Sequence, residues 1–326
     1  MRMTDTSKPR RGFTLIELMI VVSLLGIIGT MLTTLLVRQQ RFHRAVAGVT
    51  DARARMRDIA TILPTDLRSV STAADDILAI SDTSMQFRAF IGTAVLCRFG
   101  SADGTTPTII ELPPKILNNG NVLTSWINPP APDDIAYLYN EGTKAGNFDD
   151  QWQPFTIADT ISATNSTWCP SATDFTAPED DAALRYRVTV TGAPAQTLIK
   201  SGSPIRFARE VRYSIYAATD GKWYVGFQRC TPHATYGTPG DCGTREVLAG
   251  PVLAGTADTT TSGMFFVYYN KAGTRMTALS NTDTIARVSV GIRTTSESLL
   301  QATTKIGGSM TGGDSVRFTI GIRNRI

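Results

Sequence analysis

The chain has 326 residues, of which 42% are hydrophobic and 18% are charged, and its formal net charge is +4. Residues 2–11 hold four basic side chains and one acidic side chain, so this short segment carries +3 and leaves +1 for the rest. A nearly neutral remainder without a basic stripe does not favour a nucleic-acid-binding protein, and no nucleic-acid partner is predicted. About 290 residues follow position 37, enough for a substantial core.

Residues 13–37 form the first predicted element, a transmembrane helix. Seventeen of these 25 residues are Phe, Leu, Ile, Val or Met, which favours insertion into a bilayer. Residues 1–12 precede it as a basic leader, which the positive-inside rule keeps in the cytoplasm. The end of the apolar stretch has no small-residue cleavage site, and no nearby cysteine is present to accept a lipid. We therefore expect a single-pass anchor with a cytoplasmic N-terminus and an exported C-terminal part.

Glu17 is the one ionisable residue of this apolar stretch. An acidic residue inside a span costs up to about 3 kcal/mol, and less near the end of the span, where Glu17 lies. A carboxylate retained there is by default functional and needs a partner. The alternative is that Glu17 only reaches the membrane interface.

The segment Arg11-Gly12-Phe13-Thr14-Leu15-Ile16-Glu17 resembles the class III signal of type IV pilins and type II secretion pseudopilins. The resemblance implies that a prepilin peptidase cleaves between Gly12 and Phe13 and that Phe13 is then N-methylated. It also implies that Glu17, the fifth mature residue, pairs with the Phe13 amine of an adjacent subunit. The protein is then anchored in the inner membrane with its domain in the periplasm. An ordinary signal-anchored protein is the alternative.

An amphipathic continuation of the helix is predicted over 38–64, where Pro64 is the first residue able to interrupt it, with a further helical turn over 65–69 as the alternative. The arginines between 38 and 57 fit a solvated helix face, and contact with lipid headgroups is the alternative. Major pilins often have a proline where this chain has Thr33-Thr34, so bending or melting in a filament stays open. Apolar residues at helical spacing are expected to pack on the globular domain: Phe42, Val46, Val49, Ala52, Met56, Ile59, Ile62 and Leu63.

Residues 65–326 are predicted to form a β-rich periplasmic domain. A loop-rich insertion with a few short strands is expected at about 98–180, where prolines and tryptophans are scattered. Strands without intervening helical patterns favour antiparallel sheet, so the fold class is α+β, a long N-terminal helix packed on an antiparallel β-rich domain. Alternating apolar residues predict strands at 184–191, 211–215, 223–227, 264–269, 288–292 and 316–322.

Residues from about 205 to 325 loosely resemble large minor pilins of the PilW type and J-type minor pseudopilins. The resemblance implies a minor pilin that helps initiate or cap a type IV pilus. Its partners are then other minor and major pilins, the prepilin peptidase and the inner-membrane assembly platform. One alternative is a minor pseudopilin of a type II secretion system. Another is a pilus-tip adhesin or DNA-capture subunit that binds through the insertion at about 98–180.

The four cysteines all lie on the expected exported side, where an oxidising compartment makes disulfides the default. Cys230 and Cys242 are the favoured pair because a short loop with prolines and a glycine separates them. Cys97 and Cys169 then remain as a second pair. His233 follows Cys230 by three residues, but a fourth zinc ligand at useful spacing is missing from the sequence, and no metal is predicted.

The sequence lacks the common catalytic motifs. It contains two histidines and has no nucleophile elbow, zinc-protease pair or phosphate-binding loop. We therefore expect no enzyme activity and no cofactor, with a signal-anchored periplasmic enzyme as the alternative. Acidic clusters in polar loops are interpreted as solvated turns, and calcium sites are the alternative for them: Asp75-Asp76, Asp133-Asp134, Asp149-Asp150 and Glu179-Asp180-Asp181.

Overall fold

The structure, a computed structural model, has one long α-helix followed by antiparallel sheets. Helix α1 spans Leu15–Arg68, which is 54 residues, and a short 3₁₀ helix covers Pro178–Asp180. The chain divides into two compact units, residues 1–51 with 296–312 and residues 52–295 with 313–326. The residues described are 14–71, 75–100, 108–126, 128–143, 149–165, 167–170, 175–192, 194, 198–277, 282–294 and 315–322.

The second unit contains fifteen described strands. They are β1 (Ile77–Ile80), β2 (Ser84–Val95), β3 (Arg98–Gly100), β4 (Ile109–Leu112), β5 (Ser125–Trp126), β6 (Ile135–Asn140), β7 (Gln151–Ala163), β8 (Arg185–Val190), β9 (Pro204–Ala217), β10 (Trp223–Thr231), β11 (Asp241–Cys242), β12 (Glu246–Val252), β13 (Met264–Asn270), β14 (Ile285–Arg293) and β15 (Ser315–Gly321). The α+β class and the C-terminal strands predicted from alternation are therefore confirmed.

Twelve strands form one antiparallel sheet and three form another. The larger sheet has the order β1-β2-β9-β6-β7-β8-β4-β3, with β10 also paired to β9, β11 and β12 paired to β10, and β5 paired to β2. Strand β9 is central because it pairs with β2, β6 and β10 along its 14 residues. The smaller sheet has the order β13-β14-β15.

The last part of α1 packs into the core of the second unit. Met56, Ile59, Leu63 and Leu67 follow one another at helical spacing, and each is at most 5% exposed. They share a cluster with apolar residues of both sheets, including Phe87. This confirms the predicted packing of the helix on the β-rich domain for Met56, Ile59 and Leu63. The same prediction is wrong for other residues of the set, which are 66%, 48% and 42% exposed: Phe42, Val46 and Ile62.

The helix continues past Pro64 to Arg68, which is the alternative of a further helical turn over 65–69. Two contacts beyond the proline hold this turn. Leu67 is fully buried in the core, and the Tyr213 hydroxyl donates a 2.6 Å hydrogen bond to the Asp66 carboxylate. Tertiary packing therefore outweighs the hydrogen bond that the proline removes.

The prediction of a loop-rich insertion over about 98–180 is also wrong in part. Strands β3 to β7 lie there, and β7 has 13 residues. Strand β6 pairs with β9, and β7 joins β6 to β8, so this region is an integral part of the large sheet. Its strand signal is weak because Ile157 is the one fully buried residue of β7. Backbone pairing, rather than an apolar face, defines this strand.

We predict that truncating Leu63 destabilises the globular unit much more than truncating its neighbour. Leu63→Ala removes a side chain that is 0% exposed and should cost about 2–5 kcal/mol. Ile62 is 42% exposed, so Ile62→Ala should cost less than about 1 kcal/mol. Urea unfolding of the full chain in mild detergent, followed by tryptophan fluorescence, measures both values. Equal losses for the two variants would contradict the helix packing.

Candidate functional site

The candidate processing site is the N-terminal end of α1. Gly12 and Phe13, between which cleavage is predicted, lie outside the described residues, which begin at Thr14. Thr14 directly precedes the first helical residue. The Glu17 amide donates to the Thr14 hydroxyl at 3.4 Å, and the Thr14 amide donates to Glu17 Oε2 at 3.5 Å. This reciprocal pair is a capping box, which satisfies backbone N–H groups that the helix leaves free.

The capping box places the Glu17 carboxylate at the N-terminal end of the helix, beside the positive end of the helix dipole. Only Oε2 of the two carboxylate oxygens has a partner among the described residues, and the side chain is exposed. A carboxylate has about four lone-pair sites, so Glu17 retains acceptor capacity for a further donor.

The apolar part of α1 is long enough to cross a membrane. Leu15–Arg44 has 30 residues with a mean hydropathy of 2.4, and its side chains are exposed in the structure. The hydroxyl groups donate to backbone carbonyls within the helix at 2.5–2.8 Å, in Ser23, Thr30, Thr33 and Thr34. The surface of residues 15–37 is therefore almost entirely apolar apart from Glu17. The helix is continuous through Thr33-Thr34.

Comparison with known proteins bears on this end of the chain. Residues 7–33 match the sequence family described as the prokaryotic N-terminal methylation motif. The chain carries a prepilin-type signal. The signal indicates a type IV pilin-like or pseudopilin-like chain that a prepilin peptidase processes. The described part of the chain has one helix that is long and apolar enough to serve as a membrane anchor. No curated protein and no solved structure is significantly similar to the chain.

Behind the prepilin-type signal, the globular unit contains two disulfides. Cys230 and Cys242 face each other as register partners of β10 and β11, twelve residues apart. Cys97 and Cys169 are 72 residues apart, with a Cα–Cα distance of 5.6 Å. These are the pairs that the sequence favours. His233 Nδ1 accepts the Thr235 amide at 3.0 Å, and the described residues contain no cluster of metal-binding side chains.

Three carboxylates interpreted as parts of solvated turns are in fact buried. Asp76, Asp134 and Asp180 are each at most 3% exposed. Arg206 donates to Asp76 at 2.9 Å, and the Asn118 and Ala177 amides donate to Asp180 at 2.7 and 2.9 Å. The donors are arginine side chains and backbone amides of the same unit, so the three carboxylates form hydrogen bonds within the fold.

Asp134 is the most highly coordinated of the three. Arg209 Nε donates to Asp134 Oδ1 and Arg209 NH2 to Oδ2, both at 2.8 Å, and Arg229 adds a third contact at 2.9 Å. The Ala131 amide donates to the same group at 2.8 Å. A carboxylate with bidentate and charged donors ties the loop before β6 to β9 and β10. Nothing in the sequence shows which residue of the pair Asp133-Asp134 is buried.

Glu111 on β4 is a second buried centre, and the sequence gave no sign of it. Its side chain is 0% exposed and accepts from Arg98, from Arg187 Nε at 2.9 Å and from the Cys169 amide at 2.9 Å. The Arg187 guanidinium lies 4.3 Å from the centre of the Trp168 ring. Burial opposes ionisation of Glu111, but the bonds from Arg98, Cys169 and Arg187 outweigh it and hold its pKa below the usual value. Glu111 therefore fastens the segment around Cys97–Cys169.

We predict that Glu111→Gln destabilises the full chain by about 2–4 kcal/mol at neutral pH, because it leaves two arginines without their carboxylate. The loss should shrink at acid pH. A lowered pKa means that the ion pair stabilises fully above the unfolded-state pKa of about 4.3 and that this is lost as the pH falls through the folded-state pKa. Urea unfolding at neutral pH and near pH 3 measures the difference from the wild type.

The control for this variant is Glu141→Gln, which breaks an exposed pair with Lys200. The Glu141 and Lys200 side chains are 45% and 65% exposed, so the control should lose less than about 1 kcal/mol. A loss for Glu111→Gln that is no larger than the control, or that grows as the pH falls, would contradict the assigned role of Glu111.

Proposed function

We propose that the protein is a minor pilin that, after processing by prepilin peptidase, helps initiate or cap a type IV pilus. The observation that carries the proposal is the prepilin-type signal at residues 7–33, followed directly by an exposed apolar helix and then by a disulfide-bonded β-rich unit. Each part answers one requirement of such a subunit: a cleavable leader, a membrane-resident assembly helix and an exported domain that contacts its neighbours.

The disulfides support an orientation with the β-rich unit in the periplasm, because such bonds persist in oxidising compartments. The distribution of charge around the apolar segment does not by itself determine the orientation. The leader is basic, but Arg38, Arg41 and Arg44 follow the apolar segment at its other end. Long domains cross the membrane largely regardless of charge, so an exported unit of this size is compatible with those arginines. The leader then lies in the cytoplasm.

Glu17 is the proposed assembly residue. Removal of residues 1–12 creates a positively charged amine on Phe13, one residue before the capping Thr14. In the membrane, a carboxylate needs a charged or hydrogen-bonding partner, since its desolvation is otherwise uncompensated. The free acceptor capacity of Glu17 suits the Phe13 amine of an adjacent subunit. Because this subunit has the acid, a further subunit can stack above it.

The proposed partners are other minor and major pilins and the inner-membrane assembly platform. We infer an assembly role rather than an enzyme because the buried ionisable groups described above bond to one another within the fold. No cofactor or metal enters the proposal. A minor pseudopilin of a type II secretion system has the same parts. Measuring piliation and extracellular protein secretion in the host separates it from a minor pilin.

A pilus-tip adhesin is the second candidate, and one observation favours it. Ile116 and Val122 face each other across a short hairpin between β4 and β5, and they are 57% and 60% exposed. The neighbouring Leu117 is only 6% exposed, so the hairpin is anchored while presenting two apolar side chains outward. Paired apolar side chains on an exposed hairpin suit contact with another molecule.

We predict that Glu17→Gln leaves cleavage and methylation intact but abolishes function in filament assembly. A host that lacks the gene and carries this variant should show few surface filaments, since the neutral amide cannot pair with an amine as a charge. Sheared filaments, measured by immunoblot and electron microscopy, give the result. The control is Asp51→Asn, which removes an acidic residue of the same helix beyond the span and should restore filaments.

Other outcomes of this experiment are equally informative. Normal piliation in the host that lacks the gene, with adhesion lost, would contradict the assembly role and favour the adhesin. Normal piliation with extracellular protein secretion lost would favour the minor pseudopilin. Full filament assembly by Glu17→Gln would contradict the role assigned to its charge.

A further inference from the structure

Three arginines just beyond the apolar part of α1 have no partner in the described part of the chain. Arg38, Arg41 and Arg44 are exposed, and none of them forms a hydrogen bond or an ion pair with a described residue. The sequence contains no acidic residue between Glu17 and Asp51, so the chain itself offers no nearby counter-charge on this stretch. Their positive charge is available to an external anion.

The helix places these three charges on one side. Residues three apart differ by about 60° around the axis and by about 4.5 Å along it. The three guanidinium groups therefore lie within an arc of about 120° and along a stripe of about 10 Å. Side chains elsewhere on these two turns include Gln39, Gln40 and His43. The stripe, defined as Arg38, Arg41 and Arg44, presents a concentrated positive surface.

The stripe also lies at a defined depth. Leu15–Val37 is 23 residues, or about 34 Å of helix, which matches a hydrocarbon core of about 30 Å. The headgroup layer beyond the core is about 5–8 Å thick on each side. Arg38 and Arg41 fall within this layer, and the Arg44 side chain reaches back toward it because helical side chains point to the N-terminus.

We propose that Arg38, Arg41 and Arg44 bind the phosphate groups of anionic phospholipids at the C-terminal end of the span. Guanidinium groups bind phosphate through two parallel charged hydrogen bonds. The depth of the stripe favours lipid over an acidic surface of a neighbouring subunit. Before assembly, the stripe of every subunit already lies among lipid headgroups. The proposal rests on the membrane-anchored part of the proposed function and not on a role in a pilus.

Binding of anionic headgroups fixes how deep the helix sits. Each basic residue near an anionic surface strengthens the attraction by about fivefold. Under the proposed orientation, the stripe lies at the exported end of the span, where arginines are normally less frequent. Holding the subunit at a constant height in the bilayer is a physical reason for three arginines at this end.

The test compares lipids that remain bound to the full-length protein. The wild type and the variant R38Q/R41Q/R44Q are reconstituted in vesicles of phosphatidylcholine and phosphatidylglycerol and extracted in mild detergent. Mass spectrometry then gives the ratio of the two lipids retained with each protein. The wild type should enrich phosphatidylglycerol severalfold over the vesicle ratio, and the variant should return to that ratio.

The matched control is R53Q/R57Q/R68Q, which removes three exposed arginines from the same helix beyond the headgroup layer. This control should keep the enrichment. Intact mass with both disulfides present shows that each protein is folded. A wild type without enrichment, a stripe variant that keeps it, or a control that loses it equally would each overturn the proposal. Lost filaments in the stripe variant without lipid enrichment in the wild type would assign the stripe to a neighbouring subunit instead.

Discussion

Glu17 and the apolar helix around it require opposite environments, one polar and one apolar. The helix surface from Leu15 to Val37 is apolar, and the described part of the chain does not bury it. Such a surface requires lipid or other helices, yet one carboxylate at its N-terminal end requires a donor. The capping box meets part of that need because the Thr14 backbone N–H donates to the Glu17 carboxylate. In the proposed filament, the terminal amine of a neighbouring subunit supplies the rest.

The buried carboxylates of the globular unit form ion pairs with arginines of the same unit. Buried carboxylates in three separate places bond to arginines of the large sheet, namely Asp76 to Arg206, Asp134 to Arg209 and Arg229, and Glu111 to Arg98 and Arg187. Breaking such a pair leaves an uncompensated charge, so these centres hold irregular segments in one arrangement. The disulfide Cys97–Cys169 acts on the same segment as Glu111. These contacts and the disulfide together stabilise the shape of the globular unit.

The sequence predicted the parts that depend on local pattern. The packing of Met56, Ile59 and Leu63 and the alternating C-terminal strands follow from the periodicity of apolar residues. The span follows from the apolar composition of residues 13–37, and the prepilin-type signal from the resemblance of a short motif. The sequence left the end of α1 open between Pro64 and the next turn, because Leu67 and Asp66 gain partners that are distant in sequence. Strand β7 was missed because its neighbours provide backbone pairing without requiring a buried face. Glu111 was missed because a lone acid in a strand gives no sign of the arginines that surround it.

The central claim is that the chain becomes a pilin subunit by cleavage after Gly12. Intact-mass and N-terminal analysis of the protein from native membranes, for the wild type and for Gly12→Glu, tests it most directly. The account predicts a wild-type chain that starts at methylated Phe13 and a variant that remains uncut. A wild-type chain that keeps residues 1–12 would contradict the account and leave a signal-anchored periplasmic protein.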